Sequence, residues 1–112
     1  MGEGRYKVEL SHQALRDLEE IVSFIAADNP PAAERFGLRL IDEAEAIAPH
    51  PLAGRMVPEF GDPVIRERIF RAYRIVYRVH EEKHLLVVSR FWHTARGTPE
   101  IYEPDDLPPP VT

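Results

Sequence analysis

Cysteine is absent from this chain of 112 residues, which removes disulfides, thiolate metal sites and cysteine nucleophiles together and suits a reducing compartment. Long apolar runs are absent too. No stretch approaches the ~18 apolar residues that would span a bilayer, and the opening MGEGRYKVEL has no sustained apolar run of the kind a secretory leader needs. The chain is therefore expected to be soluble and cytoplasmic, with no membrane partner. Its length suits one domain with a single modest core.

Basic residues are missing from the last part of the chain, and their distribution says more than the net charge of −5. Residues 1–50 hold five Lys/Arg against ten Asp/Glu, residues 51–96 nine against five, and residues 97–112 none against four. The overall acidity argues at first against nucleic acid. A basic stretch between acidic flanks, however, makes a dipolar molecule whose net charge predicts binding poorly.

That basic stretch carries the strongest pattern. Residues 64–92 read VIRERIFRAYRIVYRVHEEKHLLVVSRFW, with Arg66, Arg68, Arg71, Arg74, Arg78 and Arg90 recurring among apolar residues. Tyr73, Ile75, Tyr77 and Val79 alternate with Arg74, Val76, Arg78 and His80, the period of a strand with one dry and one wet face. His80–His84 supplies a polar turn, and Leu85–Trp92 a second strand. Ala72 is a turn point after a strand over 64–70 that sets Arg66 and Arg68 against Ile65 and Ile69. The three form an antiparallel meander that leaves one face free. Any one of these arginines reads as an ordinary solvated side chain. Four on one sheet point to a surface that faces an anion or an acidic partner.

The first half of the chain reads as a short strand and two helices. Tyr6, Val8 and Leu10 alternate with Arg5, Lys7 and Glu9, a strand joining the same sheet. Ser11 offers an N-cap, and Leu15, Leu18, Ile21, Val22 and Ile25 make the stripe of an amphipathic helix to about Ala27, with Arg16, Asp17, Glu19 and Glu20 facing out. Asn29 and Pro30 start another helix, whose stripe is Ala33, Phe36, Leu40, Ala44 and Ile47. Gly37 on that stripe allows close helix contact. The short connection predicts an antiparallel helical hairpin over one sheet face. Residues 52–63 read as a loop. Residues 103–112, EPDDLPPPVT, have little to bury and are expected to be disordered. The fold class is α+β, ordered β-α-α-β-β-β, with one domain over residues 1–102.

With that order of elements, the segment AYRIVYRV (72–79), the ending FWHTARG (91–97) and the LAGR turn (52–55), the chain resembles the RelE/ParE superfamily of toxins from type II toxin–antitoxin systems of the plasmid-stabilisation type. The resemblance covers residues 6–102. It implies a toxin that inhibits growth and is neutralised by a cognate antitoxin, whose acidic, partly disordered C-terminal segment folds as it binds. It implies no cofactor and no metal.

The superfamily divides by target, and the resemblance implies different roles in each branch. RelE-like members cut mRNA on the ribosome without metal. Arg74 matches that branch's phosphate-contacting strand arginine, Arg96 and Tyr102 match its C-terminal arginine and tyrosine, and Arg66 and Arg68 fall where RelE has lysines. Metal-free cleavage needs a base, an acid and a cation for the developing charge. Arginine serves the last role only, which leaves His93 or Tyr102 for proton transfer; a histidine there reads equally as a packing or capping residue. Thr94 stands where many relatives carry glycine. ParE-like members poison DNA gyrase and have no recognised nuclease centre. The acidic-faced helical hairpin, the LAGR turn and the acidity of the whole chain fit that branch slightly better, in which case the chain has no catalysis of its own. Arg66, Arg68, Arg78 and Arg55 are candidates for substrate or antitoxin contacts, and for antitoxin contacts alone in the ParE-like branch, although Arg55 reads more simply as exposed. A third reading is a non-toxic module that binds the antitoxin and co-represses a promoter.

Overall fold

The computed structural model describes residues 5–101. Tyr102 and the acidic tail lie outside the described residues. In chain order the elements are β1 (Lys7–Leu10), α1 (His12–Ala26), α2 (Pro30–Glu45), β2 (Arg55–Met56), β3 (Ile65–Phe70), β4 (Tyr73–His80) and β5 (Leu85–His93), with short 3-10 turns at Glu81–Lys83 and Thr94–Arg96. They form one five-stranded sheet in the order β1-β5-β4-β3-β2. β1 runs parallel to β5, and the other pairs are antiparallel. The expected α+β architecture is present. The addition is β2, two residues inside the segment read as a loop, which is too short to show a period and is held by pairing Arg55 with Glu67 and Met56 with Arg66.

The helices start where their caps dictate. Ser11 Oγ accepts from Ala14 N at 3.0 Å and donates to Ser89 O at 3.0 Å, so one hydroxyl caps α1 and ties it to β5. Asn29 Oδ1 accepts from Ala32 N at 3.1 Å, with prolines in the first turn of α2 where their missing N–H costs nothing. At Gly37 a Cβ would lie 2.9 Å from Val22 Cγ2, so the two helices approach as closely as the sequence anticipated.

One buried cluster joins the helical hairpin to the sheet: Ile21, Leu40 and Ala44 meet Ile75, Tyr77, Val88 and Phe91. The opposite sheet face is not free, which corrects the expectation of an open cationic surface. Val57, Ile65 and Val76 form a second buried cluster there, packed by Phe60, Val64 and Ile101. The loop before β3 and the segment after β5 fold back over that face, and their few apolar residues are enough to close it.

A register shift decides which side chains point where. Val76 pairs with Arg90 and Tyr77 with Val88, so Ser89 is an extra residue on β5. With side chains alternating along a strand, this bulge turns Phe91 toward the helices and Arg90 and Trp92 to the other face. The regular pairing of β3 with β4 places the other arginines. Arg66 pairs with Tyr77 and Arg68 with Ile75, on the helix-covered face, whereas Arg74 and Arg78 lie on the other. The four do not share one surface.

Candidate functional site

β4 carries Arg74 between two strands that hold its partners. Its Nε donates to Glu67 Oε1 of β3 at 2.6 Å. Its Nη1 and Nη2 donate to Glu59 Oε2 and Oε1 at 2.9 and 2.8 Å, and Nη1 also reaches Gly97 O at 3.3 Å. On its far side Glu67 accepts from Arg55 Nε, the first residue of β2. The Glu67 side chain has no exposure at all, and that of Arg74 has 9%. Hydrogen bonding from Arg74 lowers the Glu59 carboxyl to about 2, and the same bonds raise Arg74 above its ordinary value. Two arginines and two carboxylates leave the cluster with no formal net charge.

This arrangement changes what Arg74 can do. A guanidinium that stabilises a phosphorane needs its N–H fork turned toward the substrate. Here each nitrogen of the fork is engaged by Glu59 or Glu67 of the same chain, and a phosphate brought to it would meet those carboxylates first. The two glutamates were not singled out by the sequence pattern. Glu67 could have been found, since it falls between Ile65 and Ile69 on the same side of β3.

The loop supporting the cluster is itself built from the candidate arginines. Arg66 donates from Nε to Pro63 O at 2.7 Å and from Nη1 to Gly54 O at 3.1 Å, so it fastens the LAGR turn. Tyr77 Oη donates to Pro51 O at 2.9 Å beneath the same turn. A Cβ at Gly54 would press on Tyr77 Oη and sit 2.8 Å from Glu67 O, which is why glycine stands there. Arg68 Nε donates to Glu43 Oε1 of α2 at 2.8 Å and holds that carboxyl below its ordinary range. Arg78 is half-buried, and Arg55 is exposed apart from its contact with Glu67.

Arg90 forms a second clamp. Its Nε and Nη2 donate to Asp17 Oδ2 and Oδ1 at 2.8 and 2.9 Å, and Phe91 N donates to the same carboxylate at 3.0 Å. Asp17 is 4% exposed, which corrects its assignment to the outer face of α1. It sits three residues after Ala14 and four before Ile21, on the buried stripe itself.

The remaining candidates lie at the end of β5. His93 pairs with Tyr73 and is therefore on the face opposite Arg74, whose neighbour across the strands is Trp92. His93 Nδ1 accepts from Ala95 N at 3.0 Å, capping the following turn, and its ring meets Tyr73 edge-on at 5.1 Å. Arg96 stacks over Trp92 at 3.8 Å. A surface hollow of about 270 Å³ brings His93 and Arg96 together beside Glu20 and Phe24, without Arg74. Among the described residues no group of three or more His, Cys, Asp or Glu is placed to hold a metal ion, and no helix is long and apolar enough to cross a membrane.

The sequence matches the family model for the ParE toxin of type II toxin–antitoxin systems, parDE, over residues 8–97. The chain belongs to the ParE toxin family. The match runs from β1 to the residue after the last 3-10 turn, so every element described above lies within or against it. A chain of the chromosomal ParDE toxin–antitoxin system from P. aeruginosa superposes with a TM-score of 0.68 at 14% identity, covering 81% of this chain and 98% of that one. A chain of the RelBE2 toxin–antitoxin complex from Mycobacterium tuberculosis superposes at 0.62 with 22% identity, covering 81% and 93%. At these identities the likeness is one of fold, shared by ParE-type and RelE-type systems alike. No curated protein matches the chain in sequence.

Proposed function

We propose that this ParE-family toxin inhibits growth by binding DNA gyrase, is neutralised by a cognate antitoxin, and does not cut mRNA. The observation that carries the reading is the clamp on Arg74. In the nuclease branch the matching arginine is expected to meet the scissile phosphate, and here each of its three nitrogens already donates to Glu59 or Glu67. The side chains proposed for proton transfer and charge stabilisation are also divided between the two faces of the sheet. What remains is an acidic-faced scaffold suited to recognition.

A second reading, ribosome-dependent cleavage of mRNA, draws support from the meeting of His93 and Arg96 at one hollow. That pair supplies a titratable group and a cation near each other, though without Arg74. Inducing the chain in bacteria without its antitoxin separates the two. Gyrase-dependent DNA breaks with intact message are expected. Message cleaved on ribosomes with intact DNA would replace this reading with the second.

A further inference from the structure

Three guanidinium groups gather around two phenylalanine rings at the end of the sheet where β3 turns into β4. Arg71 begins that two-residue turn with φ of 54°, in the left-handed region, and its Cζ lies 5.3 Å from the centre of the Phe70 ring. Arg39, from α2, lies over the same ring at 4.9 Å. Phe36 stacks on Phe70 at 5.9 Å. Arg35, Phe36, Arg39 and Arg71 line an open hollow of about 470 Å³. Unlike Arg74 and Arg90, these cations are poorly compensated. Arg39 has Glu43, which it shares with Arg68. Among the described residues Arg35 and Arg71 have no carboxylate partner.

Like charges held this close repel, and an anion relieves them. A guanidinium packed on an aromatic ring keeps N–H groups for an oxyanion while its stem covers apolar surface. We propose that this hollow seats an acidic side chain from a short segment of a protein partner, with an apolar neighbour of that side chain resting on the adjoining aromatic surface. The adjoining surface is present: Tyr73 contacts Phe36 at 5.8 Å and also lines the neighbouring hollow, where Phe24 is 83% exposed.

The surroundings favour a peptide over a nucleic acid. Duplex DNA carries one charge per about 1.7 Å of axis, so a strand seated here would carry further phosphates past the exposed Asp28, Glu34 and Asp42 of a chain with net charge −5. Repulsion from those groups acts within a Debye length of about 8 Å. One or two carboxylates avoid it. The inference rests on the proposed function only in supplying a seat for an antitoxin segment. It is read by a different assay from the gyrase experiment, so either can fail alone.

The test follows arginine Nε–H signals by NMR while a blocked peptide of alternating glutamate and leucine, or a short DNA duplex, is added to the intact chain. The peptide should shift Arg35, Arg39 and Arg71. The double variant Arg35→Gln/Arg71→Asn, in which asparagine tolerates the left-handed backbone, should bind it about tenfold more weakly, as expected for two lost solvent-exposed charge pairs. Arg35→Gln alone serves if the double variant fails to fold. Peptide affinity unchanged by these substitutions, absence of any shift at the three arginines, or arginine-dependent binding of the duplex in place of the peptide would overturn the proposal.

Discussion

Arg74 and Glu59 meet fork to fork, with Nη2–Oε1 at 2.8 Å and Nη1–Oε2 at 2.9 Å, while Arg74 Nε is held by Glu67 from the other side. A side chain that the sequence presents as a cation for an outside anion is, in the folded chain, the centre of an internal charge cluster. Its first consequence is for stability. Arg74→Ala leaves Glu67 fully buried with only Arg55 beside it, and loss of one partner of a buried pair costs about 3–5 kcal/mol. Urea unfolding should show a loss of that size, with Arg55→Ala, at an exposed site, losing about 1 kcal/mol or less.

Acid should undo the same clamp. The Glu59 carboxyl stands at about 2 in the folded chain against an ordinary 4.5. A lowered folded value means stability present above pH 4.5 and lost as pH falls toward 2. Glu59 is partly exposed, so solvent screening holds its share to about 1 kcal/mol. Glu59→Gln should therefore lower stability by about 1 kcal/mol at neutral pH and flatten the acid limb, the difference from the parent chain vanishing as pH falls to about 2, measured by unfolding at a series of pH values.

Asp17 offers a parallel case on the helix side. Asp17→Asn removes the counter-charge of Arg90 and weakens the acceptor for Phe91 N. A cost of about 3–5 kcal/mol is expected, seen as a lower melting temperature. The same change at Glu19, exposed on the same helix, should stay within about 0.5 kcal/mol.

Much of the fold was legible in the sequence because its signals are local. Ser11 and Asn29 announce the helix starts, the Tyr73–Val79 alternation announces β4, and Gly37 sits where two helices must touch. The register of β5 was not legible, since a single extra residue at Ser89 changes which face Arg90 and Trp92 occupy and nothing near it breaks the apolar run. The buried role of Asp17 was missed because charge outweighed position, although its spacing from Ala14 and Ile21 places it inward. Of the candidate site, the sequence located the arginines but not their partners. Glu59 lies in a loop whose path depends on Arg66, Gly54 and Tyr77, residues brought together only by the fold.

The LAGR turn gives a prediction about that path. Gly54→Ala would force a methyl group onto Tyr77 Oη and the Glu67 carbonyl. Overpacking of this kind costs about 1–3 kcal/mol, or about 4–8 °C in melting temperature per kcal/mol for a domain of this size. Gly61→Asn, at φ of 62° with open space around it, should be tolerated.

This toxin is proposed to work by binding and to leave mRNA uncut. The most direct test adds the purified chain to DNA gyrase with supercoiled plasmid, and in parallel to translating ribosomes whose message is mapped by primer extension. Double-strand breaks that rise with toxin concentration and require gyrase, with full-length message throughout, are the result predicted here. Message cut on the ribosome, with cutting lost in Arg96→Ala or His93→Gln and plasmid intact, would contradict it.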